Sequence, residues 1–298
     1  MDLADLGALV SEHRAAFEHP IAPMRIGSEV IDTDRAPVVM GAINLSRDST
    51  YRESIAVSSE SAIRKAKVMV AQGAHLIDLG AESTTANAAR VDVREQLIQL
   101  EPIALKLSEL AVPVSIESYN PRLAEGILKA GASVINYTGA GFDDEMFEVA
   151  ARFGATIIIC FQPGATARDI GEVPLDHDPI PVLLDHFGPR VELARSHGVS
   201  DIVIDPGLGF YYSNLVEPRV RVAYQTRVLL HGFRLRVLGY PVAQALPHAF
   251  TLFEDEFRIA EAQFALFARL ARTGLLRTHE VAKVNATLRL LELSVPNW

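Results

Sequence analysis

Thr156-Ile157-Ile158-Ile159-Cys160-Phe161 is an unbroken apolar, β-branched run. Its length suits a strand. Its lack of alternation marks a strand buried on both faces, as in a parallel sheet. Gly154-Ala155 precedes it, and before that lies an amphipathic stretch from Phe142 to Phe153. That stretch reads as a helix stopped by glycine. The same helix, Gly-Ala, strand succession returns at Gly73-Ala74 and Gly131-Ala132. Further apolar runs lie at 37–42, 75–79, 112–116, 133–137, 201–204 and 234–238, with a weaker one at 274–277. Helical spacing covers 59–71, 93–111, 122–130, 182–197, 217–231, 254–272 and 280–293. About eight strand–helix cycles predict an α/β fold, a (β/α)8 TIM barrel. A doubly wound sheet fits less well, because no Gly-x-Gly-x-x-Gly turn follows the first strand. Residues 1–36 read as an N-terminal extension, with a helix from about Leu3 to Phe17 and an extended segment from Met24 to Asp32. It is expected to cap the barrel's N-terminal end, and residues 37–298 form the barrel.

Composition narrows the function classes. The 298 residues carry 28 Lys and Arg against 37 Asp and Glu, a net charge of −9. No basic surplus exists to neutralise nucleic-acid phosphates. A single cysteine, Cys160, excludes an internal disulfide framework and a cysteine-rich metal site. No apolar run approaches the roughly 18–20 residues of a membrane span. The acidic start Met1-Asp2-Leu3-Ala4-Asp5 is unlike a secretion signal, so a cytoplasmic location is expected.

A barrel places its active site at the C-terminal ends of its strands. The polar residues at the expected ends are Asn44, Asp78 and Glu82, Glu117, Asn136, Asp205, and Arg277 with His279. The seventh run ends without charge at Leu238-Gly239-Tyr240-Pro241. Carboxylates with an amide between them suit a nitrogen-rich heterocycle, whose N–H edge they accept. No His/Cys cluster accompanies them, so a metal trio is not expected. Any one of these residues could equally cap a helix or fix a turn; the set as a whole points to a site.

These residues also carry a family resemblance. Ile43-Asn44-Leu45-Ser46-Arg47-Asp48-Ser49 resembles the first loop of dihydropteroate synthases, and Ile77-Asp78-Leu79-Gly80-Ala81-Glu82-Ser83-Thr84 their second. Val134-Ile135-Asn136, Ile204-Asp205-Pro206-Gly207-Leu208-Gly209-Phe210 and Arg277-Thr278-His279-Glu280 are similar to later motifs, in order over roughly residues 37–290. The resemblance implies that Asp78, Glu117, Asn136 and Asp205 line the site of a reduced pterin or folate, with Thr84 on the mobile second loop. Glu117 stands where the family usually has Asp. The resemblance also implies that Asn44 approaches Mg2+ and the substrate diphosphate. Arg277 and His279 would bind phosphate oxygens. In such enzymes an aminobenzoate nitrogen replaces diphosphate on the pterin methylene, so stabilising the departing anion is the main catalytic need.

Departures bear on that step. The family's Ser-Arg-Lys after strand seven is matched by Gly239-Tyr240-Pro241-Val242-Ala243-Gln244, with no cation. The second loop reads Ser83-Thr84-Thr85-Ala86-Asn87, without its usual Arg. The first loop has Thr50-Tyr51 in place of its usual Phe. Arg47, Arg52 and Arg90 are candidate replacements. Two other readings follow. Glu117-Ser118-Tyr119-Asn120-Pro121 resembles a motif of methyltetrahydrofolate–corrinoid methyltransferases, whose partner would be a corrinoid protein. A pterin-binding protein without catalysis would also keep the pocket and lose the cations.

Other features read more plainly. Leu175-Asp176-His177-Asp178 reads as a polar loop rather than a metal site. Gly139-Ala140-Gly141 reads as a turn. Cys160 reads as a small core residue. Phe250, Phe253, Phe257, Phe264 and Phe267 suggest core packing or a homodimer contact.

Overall fold

The computed structural model describes residues 2–46, 51, 55–56, 58–83, 90–166, 171–175, 178–210 and 212–293. Eight parallel strands form the sheet: β1 Val38–Asn44, β2 Leu76–Gly80, β3 Val114–Ser118, β4 Val134–Tyr137, β5 Thr156–Cys160, β6 Ile202–Asp205, β7 Ala243–Ala245 and β8 Leu275–Thr278. Their order is β6-β5-β4-β3-β2-β1-β8-β7. The remaining seam, β6 to β7, is joined by a bridge between Ile204 and Val242. There Ile204 N donates to Pro241 O at 3.0 Å. The sheet is thus a nearly closed barrel, as the cycle count predicts.

Helices follow the strands: α1 Ser59–Ala71, α2 Val93–Glu109, α3 Pro121–Lys129, α4 Asp143–Phe153, α5 Ile180–Ser196, α6 Pro218–His231, α7 Ala260–Leu270 and α8 Val281–Leu293. Local chemistry sets their ends. Ser58 caps α1 in a reciprocal capping box, and Gly154 ends α4 in the left-handed conformation. Asn120 Oδ1 accepts from Arg122 N and Leu123 N, with Pro121 opening α3. The Glu117-Ser118-Tyr119-Asn120-Pro121 stretch therefore has a structural use as a strand end and helix cap.

Period-two alternation builds the barrel interior. Val38, Met40, Leu76, Val134, Ile158, Val203, Ala243 and Leu275 form a buried apolar cluster. Met24 and Ile26 of an antiparallel hairpin (Met24–Ile26 with Glu29–Ile31) belong to the same cluster. Thr156 Oγ1 donates to Arg25 O at 2.6 Å, tying the hairpin to the N-terminal end of β5. The N-terminal helix divides into Leu3–Glu12 and Arg14–Phe17.

One predicted strand is wrong. Residues 232–238 form a 3-10 helix, and β7 lies at Ala243–Ala245. Arg234-Leu235-Arg236-Val237-Leu238 alternates like a strand. Its alternation has another cause: Arg236 is buried to hold Asp34, with contacts of 2.7 and 2.8 Å. The predicted helix over 254–272 is also divided, into a 3-10 turn Glu254–Ile259 and α7, and a short helix Phe250–Phe253 precedes it. The aromatics there pack within the chain. Phe250 and Phe257 lie beside Tyr51, and Phe253 meets Phe264 edge-on.

Candidate active site

One alternation step beyond the apolar layer, the inward positions become polar. Asp78, Asn136, Asp205 and Arg277 each lie two residues after Leu76, Val134, Val203 and Leu275. The same step places Cys160 after Ile158. The strand pairing therefore assembles the predicted residues at the C-terminal end of the barrel.

Arg277 organises them. Its Nε donates to Asp78 Oδ2 at 2.8 Å and its Nη2 to Glu117 Oε2 at 2.5 Å. Asp78 also accepts from Ser115 Oγ at 2.6 Å and Asn136 Nδ2 at 3.0 Å. Cys160 Sγ donates to Asn136 Oδ1 at 3.3 Å. The cysteine is thus a buried member of the site floor, and burial pushes its thiol well above the ordinary value. Asn136 has used one donor and one lone pair, and one of each remains for a ligand. Asp205 Oδ1 accepts from Gly207 N at 2.7 Å. Gly207 has φ +79°, and a Cβ there would lie 2.6 Å from Phe161 O. Only glycine fits that turn.

The floor carries three acids and one base. Burial, reinforced by the charges of Asp78 and Asp205 and opposed by Arg277, raises Glu117 to about 7. Burial and the Asp78 charge raise Asp205 to about 6, against the Gly207 N–H and Arg277. Burial lowers Arg277, but the carboxylates around it outweigh this and hold it above its ordinary value.

Asn44, Glu117, Asn136, Cys160, Asp205, Arg277 and His279 all line one cavity. Asp78 is fully buried beneath it. Asn44 and Glu117 approach each other across Gly80, where a Cβ would lie 3.3 Å from Asn44 Oδ1 and 3.4 Å from Glu117 Oε2. Glu82 accepts from Tyr119 Oη at 2.7 Å at the rim. Thr84, Arg47 and Arg52 lie outside the described residues. Arg90 is exposed and lies outside the cavity wall. Of the Leu175–Asp178 loop, Asp178 pairs with Arg234 at 2.8 Å, while Asp176 and His177 lie outside the described residues. Ala140 N and Gly141 N of the Gly139–Gly141 turn both donate to Ala165 O.

Sequence reasoning missed three side chains. With β7 correctly placed, the stretch after strand seven is Leu246-Pro247-His248-Ala249. It still lacks Lys and Arg, but His248 lines the cavity. Arg221, in the first turn of α6, also lines it and has no ion-pair partner among the described residues. Glu261, on α7, lies behind His279. The expectation of no His-containing cluster is therefore corrected: His248, Glu261 and His279 bring ligand-type atoms within 4.8 Å of one another. Burial raises the Glu261 carboxyl, but His279 and His248 outweigh it and hold the group well below the carboxylate range. Burial lowers His279 in spite of Glu261.

Comparison with known proteins fits this geometry. A family profile described as pterin binding enzyme matches residues 40–239. Dihydropteroate synthase of Synechocystis sp. is 34% identical over 227 residues, 74% of each chain. The crystal structure of the Thermus thermophilus dihydropteroate synthase in complex with 6HMPPP superposes with a TM-score of 0.72 at 27% identity, covering 91% of this chain and 99% of that one. The Yersinia pestis dihydropteroate synthase, solved in a sulfonamide drug complex, shares the fold with a TM-score of 0.79 at 21% identity, covering 91% and 98%. The chain belongs to the dihydropteroate synthase family of pterin-binding enzymes.

Proposed function

We propose that this protein is a pterin-binding transferase of the dihydropteroate synthase type. It condenses a pterin methyl diphosphate with an aminobenzoate-type amine in folate-type biosynthesis. The observation that carries this is the buried set Glu117, Asn136 and Asp205 around Arg277. Two carboxylates and a half-used amide match the donor edge of an amino-pyrimidinone. They are too enclosed to serve as surface caps.

The residues divide the work. Glu117 and Asp205 accept ring N–H groups, and Asn136 uses its remaining donor and lone pair. Arg277 holds Glu117 and Asp78 in place and keeps donors free for an anion at the mouth. The amine attacks the pterin methylene carbon, the C–O bond breaks, and diphosphate leaves with the electron pair. The amine's proton passes to water. Arg221, His248 and His279 face the departing negative charge, where fixed donors act most strongly. Arg221 is also suited to the carboxylate of the second substrate. Asn44 fits Mg2+ as one neutral oxygen donor, because Asp78 and Glu117 are already engaged by Arg277. Such an ion would draw its other ligands from diphosphate and water and shield their charge.

The exposed leucines Leu270, Leu290 and Leu293 on α7 and α8 favour a homodimer, which sedimentation equilibrium checks. Among the described residues, no helix is long and apolar enough to cross a membrane. The deciding assay supplies hydroxymethyl-dihydropterin diphosphate and 4-aminobenzoate and follows diphosphate release. Pterin binding without release would leave only a binding protein. Methyl transfer from methyltetrahydrofolate to a cobalamin would replace the proposal.

A further inference from the structure

We infer that His248, Glu261 and His279 form a transition-metal site at the mouth of the barrel, distinct from any Mg2+ at Asn44. The two oxygens of Glu261 have separate tasks. Oε2 is anchored by the Thr278 hydroxyl, by His279 N at 2.8 Å and by Glu280 N at 3.2 Å. Oε1 faces His279 Nδ1 at 2.9 Å and His248 Nδ1 at 3.1 Å. His248 Nδ1 is buried, yet it makes no hydrogen bond among the described residues despite that short distance. A buried ring nitrogen without a hydrogen bond needs a partner, and an ion is one such partner.

The surroundings are those of a held ligand set. The Tyr51 ring stacks on His279 at 4.5 Å and 16°, fixing the imidazole plane. Phe250 packs on His248 at 5.2 Å. The anchored Oε2 fixes the carboxylate in the same way. Outer contacts of this kind orient metal ligands. Two imidazoles and one carboxylate are a ligand set for Zn2+, Co2+ or Fe2+ rather than Mg2+. Metal–ligand bonds of about 2.0–2.1 Å put tetrahedral ligand atoms about 3.3 Å apart. The two Glu261–imidazole spacings, 2.9 and 3.1 Å, need to open by only a few tenths of an ångström, and all three ligand atoms already lie within 4.8 Å of one another. His248 and His279 line the cavity while Glu261 lies behind them, so an ion held there would sit in the cavity wall, with coordination positions left open beyond its three protein ligands. The ligand suited to those positions is an anionic oxygen of a diphosphate; this part rests on the proposed transferase reading.

The test uses the full chain freed of metal by a chelator. Co2+ or Zn2+ is added alone, with Mg2+ as control, and binding is followed by calorimetry and by Co2+ visible absorption. One equivalent of Co2+ with d–d bands of four- or five-coordinate metal is expected. His248→Ala, at the most exposed ligand, should weaken binding at least roughly tenfold while the thermal transition persists. No stoichiometric uptake, or equal uptake by His248→Ala, would overturn the site. Inorganic diphosphate should bind the loaded wild type more tightly than the metal-free protein, and this gain should vanish in His248→Ala. Equal diphosphate binding with and without metal would overturn the ligand assignment. Pterin binding to the metal-free protein is measured separately. Its failure with metal uptake intact would sink the transferase reading and leave the metal site standing.

Discussion

Arg277 on β8 donates to Glu117 on β3 across 2.5 Å, although two strands, β2 and β1, separate them in the sheet. The pair spans the barrel mouth, and Asp78 on β2 shares the same guanidinium. One side chain thus fixes the positions of two buried acids. Replacing it with Met would leave both acids without their cation. Arg277→Met should lower unfolding free energy by about 3–5 kcal/mol at neutral pH and abolish pterin binding. Arg277→Lys should recover part of the stability but little of the binding, because the fork is lost. Urea unfolding and pterin calorimetry check both. Wild-type pterin affinity in the Lys variant would argue against a positioning role for the fork.

The same floor predicts opposite pH trends for folding and binding. Glu117 and Asp205 are raised, to about 7 and about 6. A raised carboxylate favours the fold while protonated. Its contribution is present below the ordinary carboxylate range and is lost as pH rises through the raised value. Metal-free, pterin-free protein should therefore lose stability from these groups between about pH 4 and 7. Pterin binding needs the ionised acceptors and should strengthen over the upper part of that range. Below pH 6, affinity should fall about tenfold per pH unit for each proton taken up. Glu117→Gln should remove the step near 7 and leave the step near 6. A pterin affinity independent of pH from 5 to 8 would refute the acceptor assignment.

Most of this site was legible because an acid or amide in a buried apolar run has few places to point. Asp78 and Asn136 interrupt such runs and Asp205 closes one, and period two turns them inward. β7 was illegible for the opposite reason. Ala243-Gln244-Ala245 is small and polar, while Arg234–Leu238 imitates a strand through the buried Arg236. The metal cluster escaped because Glu261 lies on an amphipathic helix, where a lone acid usually faces water. Only packing reveals that its carboxylate faces two imidazoles. The family resemblance pointed to residues that the fold brings to one cavity, but it placed the missing cations after the wrong strand-seven residues.

Arg236 supplies a prediction remote from the site. Its guanidinium grips Asp34 with contacts of 2.7 and 2.8 Å and donates to His19 O at 2.7 Å. It therefore ties the N-terminal extension to the segment before β7. Asp34 keeps Arg272 at 3.0 Å, so the variant does not strand the carboxylate. Arg236→Met should cost roughly 1.5–3 kcal/mol, the contribution of a hydrogen bond to a charged group, and open residues 1–36 to trypsin. Metal-free pterin affinity should stay unchanged. Loss of pterin binding at full stability would show that the extension does more than pack against the barrel.

Arg221 offers the sharpest test of the second substrate. It lines the cavity from the first turn of α6 and has no competing ion pair among the described residues. If it meets the carboxylate of the amine substrate, its removal should act on that substrate alone. A hydrogen bond to a charged group contributes roughly 1.5–3 kcal/mol. Arg221→Ala should thus raise KM for 4-aminobenzoate about tenfold to hundredfold with pterin affinity unchanged. Arg221→Lys should restore part of the loss through charge without the fork. Aniline, which lacks the carboxylate, separates this role from one in diphosphate departure. If Arg221 contacts the carboxylate, wild type and Arg221→Ala should use aniline equally well. If both amines slow by the same factor through kcat, the arginine acts on the leaving anion and the assignment to the second substrate fails.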